Sequence, residues 1–126
     1  MTDYEGVAFD PPAPVAEIVV RNPGGNSEAG SARMLIDTGA DVTLIPNGAL
    51  QEIGLSPVPG ANYRIRSFNG SQHLVPAADL IMVFMGRELH GRFLLIDSEI
   101  GFLGRDVLNE FVLEFDGPEQ AWRARG

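Results

Sequence analysis

Residues 35–45, Leu-Ile-Asp-Thr-Gly-Ala-Asp-Val-Thr-Leu-Ile, constrain this chain more than any other stretch. An apolar run leads into Asp37, the chain turns at Gly39, and a second apolar run leaves. Such flanks are stable only when buried, so Asp37 is expected at the floor of a depression with little water around it. A lone ionised carboxylate is costly there and must be paired or neutralised. Two readings stay open for the motif by itself. It is either a local turn, with Asp37 bonding backbone amides two residues on, or a group placed for chemistry.

Composition removes many alternatives. The 126 residues suit one domain with a real core, and 44% apolar with 21% charged residues is ordinary for a globular chain. The net charge of −8 argues against nucleic acid as a partner. No apolar run approaches the roughly 20 residues that cross a bilayer, so no membrane partner is expected, and the simplest localisation is cytoplasmic. Every basic residue is arginine, which excludes a phosphate-loop or Schiff-base lysine. The absence of cysteine excludes thiol nucleophiles and thiolate metal sites. His73 and His90 are too far apart for a helix-borne zinc pair, and Asp37 with Asp41 lacks the further oxygens of a calcium loop, so neither metal nor cofactor is expected. Carboxylates are the groups left to do chemistry.

Turn-formers cut the remainder into short β-type runs. Residues 1–14 read as an acidic, Pro-rich tail that need not pack on its own subunit, and residues 15–126 as the folded domain. Strands are expected at Val15–Arg21, Ala32–Ile36 and Val42–Ile45, with a long loop from Asn22 to Ser31. Pro46 and Gly54 bracket a short helix or turn. Asn69-Gly70 lies between two extended runs, Tyr63–Ser67 and Gln72–Val75, and marks a projecting hairpin. Ala78–Met85 reads as a strand buried on both faces, turning at Gly86–Leu89 into Gly91–Ile96. Ile100–Gly104 is a short buried strand, followed by a helical turn from Arg105. Phe111–Phe115 alternates, with Phe111, Leu113 and Phe115 expected inward. Ala121–Ala124 is a last strand, and Trp122 reads as a packing or interface residue. The class is all-β, short strands closing into a barrel with one or two short helices.

The Leu35–Ile45 block and the second block Phe102-Leu103-Gly104-Arg105-Asp106-Val107-Leu108 together resemble the retroviral-type (retropepsin-like) aspartic proteases. The resemblance runs from about Val15 to Phe115. It implies a closed acid-protease barrel with a flap hairpin, and an endopeptidase hydrolysing peptide bonds without a cofactor. Two carboxylates sharing one proton would activate water and polarise the scissile carbonyl. One Asp-Thr-Gly per chain then implies a homodimer, Asp37 meeting its copy across a two-fold axis. By the same resemblance Asp37, Thr38 and Gly39 are catalytic, with Thr38 bonding across the dimer. Ala40, Asp41, Phe68, Asn69 and Gly70 would contact the peptide or protein substrate. Gly104, Arg105 and Asp106 would support the site, with Asp41 pairing to Arg105, either to face substrate or as a purely structural ion pair. Ala40 lacks the hydroxyl that would favour the ionised carboxylate, so activity should extend toward neutrality.

The chain departs from the retroviral pattern in several places. Its flap tip has one glycine, Asp106 replaces an asparagine, and a strand follows Phe115. Ala121–Arg125 could interleave with a partner, or form a hairpin with Phe111–Phe115 and alter the interface. A non-catalytic dimerisation or peptide-binding module on the same barrel is the competing function.

Overall fold

The computed structural model describes residues 1–25, 28–67 and 69–125. Alternation of apolar and polar residues builds the first hairpin. Strand β1 is Thr2–Asp3; β2, Val15–Arg21, turns Ala16, Ile18 and Val20 inward and Glu17 outward; β3, Ala29–Ile36, does the same with Ala32, Met34 and Ile36. After the Asp37 turn come β4, Leu44–Pro46, and helix α1, Asn47–Gln51. Strands β5, Asn62–Arg66, and β6, Gln72–Phe84, form the projecting hairpin, and β7, Arg87–Ile96, returns alongside β6. Strand β8, Ile100–Leu103, leads into α2, Arg105–Leu108. Strands β9, Val112–Asp116, and β10, Ala121–Arg125, close the chain.

The hydrogen-bonded order β2-β3-β8-β4-β7-β6 closes on itself through β2–β6 pairs such as Val20 with Met82. The fold is a closed all-β barrel. Its interior holds Ile18, Met34, Ile45, Leu80, Met82, Phe84, Leu95 and Leu103, all essentially inaccessible. Each such burial contributes about 1.5–3 kcal/mol before conformational entropy is subtracted. A second sheet, β1-β10-β9, lies at the chain ends. Trp122 fills the joint between it and the barrel, stacking near Phe84 and donating its indole N–H to the Val15 carbonyl at 3.3 Å.

Several expectations are corrected. Residues 1–14 pack on their own domain: β1 pairs with β10, and Glu5 and Ala13 exchange backbone hydrogen bonds of 2.8 and 3.0 Å. The Glu5 carboxylate also takes the Val7 and Ala8 amides and faces Arg33 at 3.4 Å. The segment has no core of its own, but β10 offers it an unpaired edge and Arg33 a counter-charge. Gln72–Val75 and Ala78–Met85 are one strand of 13 residues, because β6 changes partners at Pro76: it pairs with β5 up to that residue and with β7 from Ala77. A proline is tolerated where the ladder changes hands. The return turn is the residue pair Met85-Gly86, both at positive φ, rather than Gly86–Leu89. The run Ala78–Met85 is not buried on both faces, since Asp79 and Met85 are exposed. Phe115 is 42% exposed instead of inward.

Candidate active site

The strand β3 delivers Asp37 to the barrel's open end, where its backbone N–H reaches the Leu103 carbonyl at 3.0 Å. Asp37 is half-buried in the single chain, less enclosed than its apolar flanks imply. Its carboxylate oxygen Oδ1 accepts the Gly39 N–H at 3.0 Å, so the local turn bond exists within the larger arrangement. A side chain at residue 39 would crowd that oxygen, since a Cβ there lies 3.2 Å from it. Thr38 is exposed and its carbonyl receives the Arg105 guanidinium at 2.7 Å. The Arg105 backbone N–H in turn reaches the Ala40 carbonyl at 2.9 Å. A segment more than sixty residues away, Leu103 to Arg105, thus clamps the carboxylate-bearing loop.

Arg105 therefore serves the loop backbone, not Asp41. Among the described residues Asp41 makes no ion pair, is exposed, and lines the cleft. The expected Asp41–Arg105 pair is absent because the guanidinium is spent on a carbonyl closer to the turn.

Thr43 is the residue that sequence reasoning passed over. The residue is 1% exposed, and it makes three hydrogen bonds to two partners, Asp106 and Gly104. The hydroxyl donates to Asp106 Oδ1 at 2.7 Å and accepts the Gly104 N–H at 3.0 Å, while the Thr43 N–H reaches Asp106 Oδ2 at 3.2 Å. A signal was present: Thr43 and Ile45 share a face of an apolar run, so the hydroxyl had to point inward and find partners. Gly104 is required by proximity. A Cβ there would lie 2.5 Å from the Val42 carbonyl carbon and oxygen. Gly104, Arg105 and Asp106 are thereby brought to the Asp37 loop.

Asp37 opens onto a cleft of about 670 Å³. Its wall comes from an apolar row on the face of the barrel opposite the core. Leu94 pairs with Leu44, Leu44 with Phe102, and Phe102 with Leu35, two residues before Asp37. Leu44, Leu94 and Phe102 line the cleft and are half-buried, flanked along their strands by residues that fill the core. Strand β5 roofs it with Tyr63 and Ile65 among the lining residues. Ala40 lies at the floor.

The roof is built differently from the floor. Residues 72–76 of β6 pair with β5, and the two strands leave the barrel as a hairpin. At its tip Asn69 Oδ1 accepts from the Ser67 hydroxyl at 2.8 Å, the Ser71 hydroxyl at 2.6 Å and the Ser71 N–H at 2.9 Å. The Gly70 N–H closes the turn onto the Ser67 carbonyl at 3.0 Å. Asn69 and Gly70 are thus at the tip, and neither is among the cleft-lining residues. Phe68, expected to touch substrate, lies outside the described residues. At the hairpin's base, Arg92 holds Asp79 with bonds of 2.8 and 3.2 Å and reaches the Tyr63 hydroxyl at 3.4 Å. The Arg92 guanidinium holds the Asp79 carboxyl below its ordinary range.

No protein-family model and no curated protein matches this chain. Among solved structures, it is similar to EIAV protease complexed with the inhibitor HBY-793, with a TM-score of 0.56 and 21% sequence identity, covering 78% of this chain and 86% of that one. The likeness establishes a retropepsin-like fold.

Proposed function

We propose that this chain is one half of a homodimeric aspartic endopeptidase, its catalytic pair formed by Asp37 and the same residue of a second copy. One observation carries the reading. A half-exposed carboxylate stands on a loop clamped by distant residues, at the floor of a roofed apolar cleft, with a single Asp-Thr-Gly in the chain. A loop so fixed has little to reorganise when charge develops above it.

In the pair, like charges at short distance share one proton. The ionised member takes a proton from water, and the oxygen attacks the scissile carbonyl carbon. The protonated member hydrogen-bonds the carbonyl oxygen as it gains charge. Collapse of the tetrahedral intermediate breaks the C–N bond, with the proton passing to the leaving amine. Thr38, exposed in one chain, would bond across the dimer and hold the two loops in register. Asp41, free of Arg105, is available to accept backbone N–H groups of an extended peptide. The apolar row of Leu44, Leu94 and Phe102 would take the side chains around the scissile bond.

A non-catalytic peptide-binding module is the second reading. It is favoured by the flap tip, where Ser67, Asn69 and Ser71 satisfy one another and leave fewer groups for a substrate. A peptide-library digest from about pH 3 to 8 decides between them, with sedimentation to record oligomeric state. Wild type is expected to cleave as a dimer, and Asp37→Asn to fold and dimerise while losing all cleavage. Cleavage retained by Asp37→Asn overturns the catalytic reading. A folded wild-type dimer that binds peptides and cleaves none favours the module.

A further inference from the structure

We infer that Arg64 and Arg66 select peptides with acidic side chains at two positions separated by one residue, beside the apolar side chains that fill the cleft. The inference deepens the reading above, since it rests on the cleft being a peptide site.

Six of the nine arginines are committed within the chain: Arg21 to Glu88, Arg33 to Glu5, Arg87 to Glu110, Arg92 to Asp79 and Arg123 to Glu114, with Arg105 on the Thr38 carbonyl. Arg64 and Arg66 are exposed, and among the described residues neither makes an ion pair. Both belong to the lining of the cleft. Their cross-strand neighbours are Leu74 and Gln72, so no carboxylate faces them across the hairpin. Asp79, the acid at the hairpin's base, is held by Arg92. Two like charges on one face of a strand repel each other, and an anionic ligand relieves that repulsion.

The placement suits an extended chain. Five successive residues, Tyr63 to Ser67, line the cleft, whereas the face of a strand contributes every second residue. The cleft therefore meets β5 at its edge, and that edge has no strand partner among the described residues. A peptide laid along it gains main-chain hydrogen bonds and presents alternate side chains on one side. Arg64 and Arg66 stand about 7 Å apart along the strand, and an extended peptide repeats its side chains at the same interval. Two acids flanking any one residue thus meet both guanidinia at once. The floor carries the opposite sign in Asp37 and Asp41, which turns those acids toward the roof. The substrate class is a peptide with an apolar centre and an acidic flank, the reverse of what a net charge of −8 would attract from a distance.

Three peptides that share an apolar centre test this, flanked by Asp-Ala-Asp, Asn-Ala-Asn or Lys-Ala-Lys. Binding is read by fluorescence anisotropy on the full Asp37→Asn chain and cleavage as kcat/KM on wild type, with circular dichroism to confirm folding. The acidic peptide is expected to be bound and cleaved about three- to tenfold better than the neutral one, the gap narrowing as salt rises. Arg64→Gln with Arg66→Gln should erase the gap, and Arg64→Glu with Arg66→Glu should transfer the preference to the Lys peptide. Arg21→Gln removes a charge outside the cleft and should leave the preference intact. Equal handling of the acidic and neutral peptides by the unaltered roof overturns the inference. So does a preference that survives the double Gln change, an equal loss in Arg21→Gln, or binding of none of the three peptides. Acid-selective binding without cleavage supports the inference and defeats only the catalytic reading. Cleavage without acid selection defeats the inference and leaves the catalytic reading standing.

Discussion

The floor and the roof of the cleft face each other but are held by opposite means. The Asp37 loop is fixed by bonds from residues 61 to 67 positions away: Gly104 and Asp106 to Thr43, and Arg105 to Thr38. The β5–β6 hairpin is fixed by its own ladder and by a tip staple whose members lie two to four residues apart. Its further anchor is the Arg92–Tyr63 contact at the base. The buried Thr43–Gly104 bond is lost only in larger openings of the domain, whereas exposed bonds within a hairpin tip can open and reclose while the barrel stays folded. On the proposed reading, the floor would hold the carboxylate in place and the roof, with its local ties, would lift to admit a peptide.

The strongest way to break that contrast is at Gly104. A Cβ there meets the Val42 backbone at 2.5 Å, so Gly104→Ala should destabilise the domain by about 1–3 kcal/mol or more and reduce cleavage with it. Urea denaturation with a parallel activity assay reads both. A variant as stable as wild type would mean that the floor is softer than its packing indicates.

Thr43→Val should come next. It keeps the shape but leaves the Gly104 N–H and a carboxylate oxygen of Asp106 unsatisfied, costing about 1–3 kcal/mol. Equilibrium unfolding measures this, and a loss no larger than that of an exposed substitution would dismiss Thr43 as the hub.

Asn69→Ala is the matched change in the roof. Global stability should move by about 0.5 kcal/mol or less, as for an exposed site. Amide exchange at the flap tip should nevertheless accelerate, and KM should change more than the melting temperature. A stability loss matching Thr43→Val would erase the distinction between the two regions.

The smallest effect is on pH. Arg92 holds the Asp79 carboxyl below its ordinary value, and Arg123 does the same for Glu114. A depressed carboxyl contributes stability above its unfolded value and loses it as pH falls through the folded value. Melting temperature should therefore decline in acid, below about pH 4, and Asp79→Asn should flatten part of that decline. Both groups are exposed, so the change is modest. Because Asp79 orients the arginine that reaches Tyr63, the roof's base should loosen before the floor does. Uniform acceleration of amide exchange in β5 and the Asp37 loop on acidification would contradict that order.

Much of this architecture was legible in the chain. Alternation fixed which faces of β2 and β3 turn inward, apolar flanks singled out Asp37, and Asn69-Gly70 marked the hairpin tip. These are local properties, set by side-chain periodicity and by the φ values a turn demands. Three features were decided only in three dimensions. Arg105 chose the Thr38 carbonyl over the Asp41 carboxylate; Thr43 became the joint between the Asp37 loop and Asp106; and residues 1–14 found an edge on β10. Each depends on which of several chemically adequate partners the closed barrel brings within about 3 Å, and no local pattern encodes that distance. The same holds for Phe115. Its alternation with Leu113 says which face of the strand it occupies, but only the tertiary arrangement says whether that face is covered within one chain.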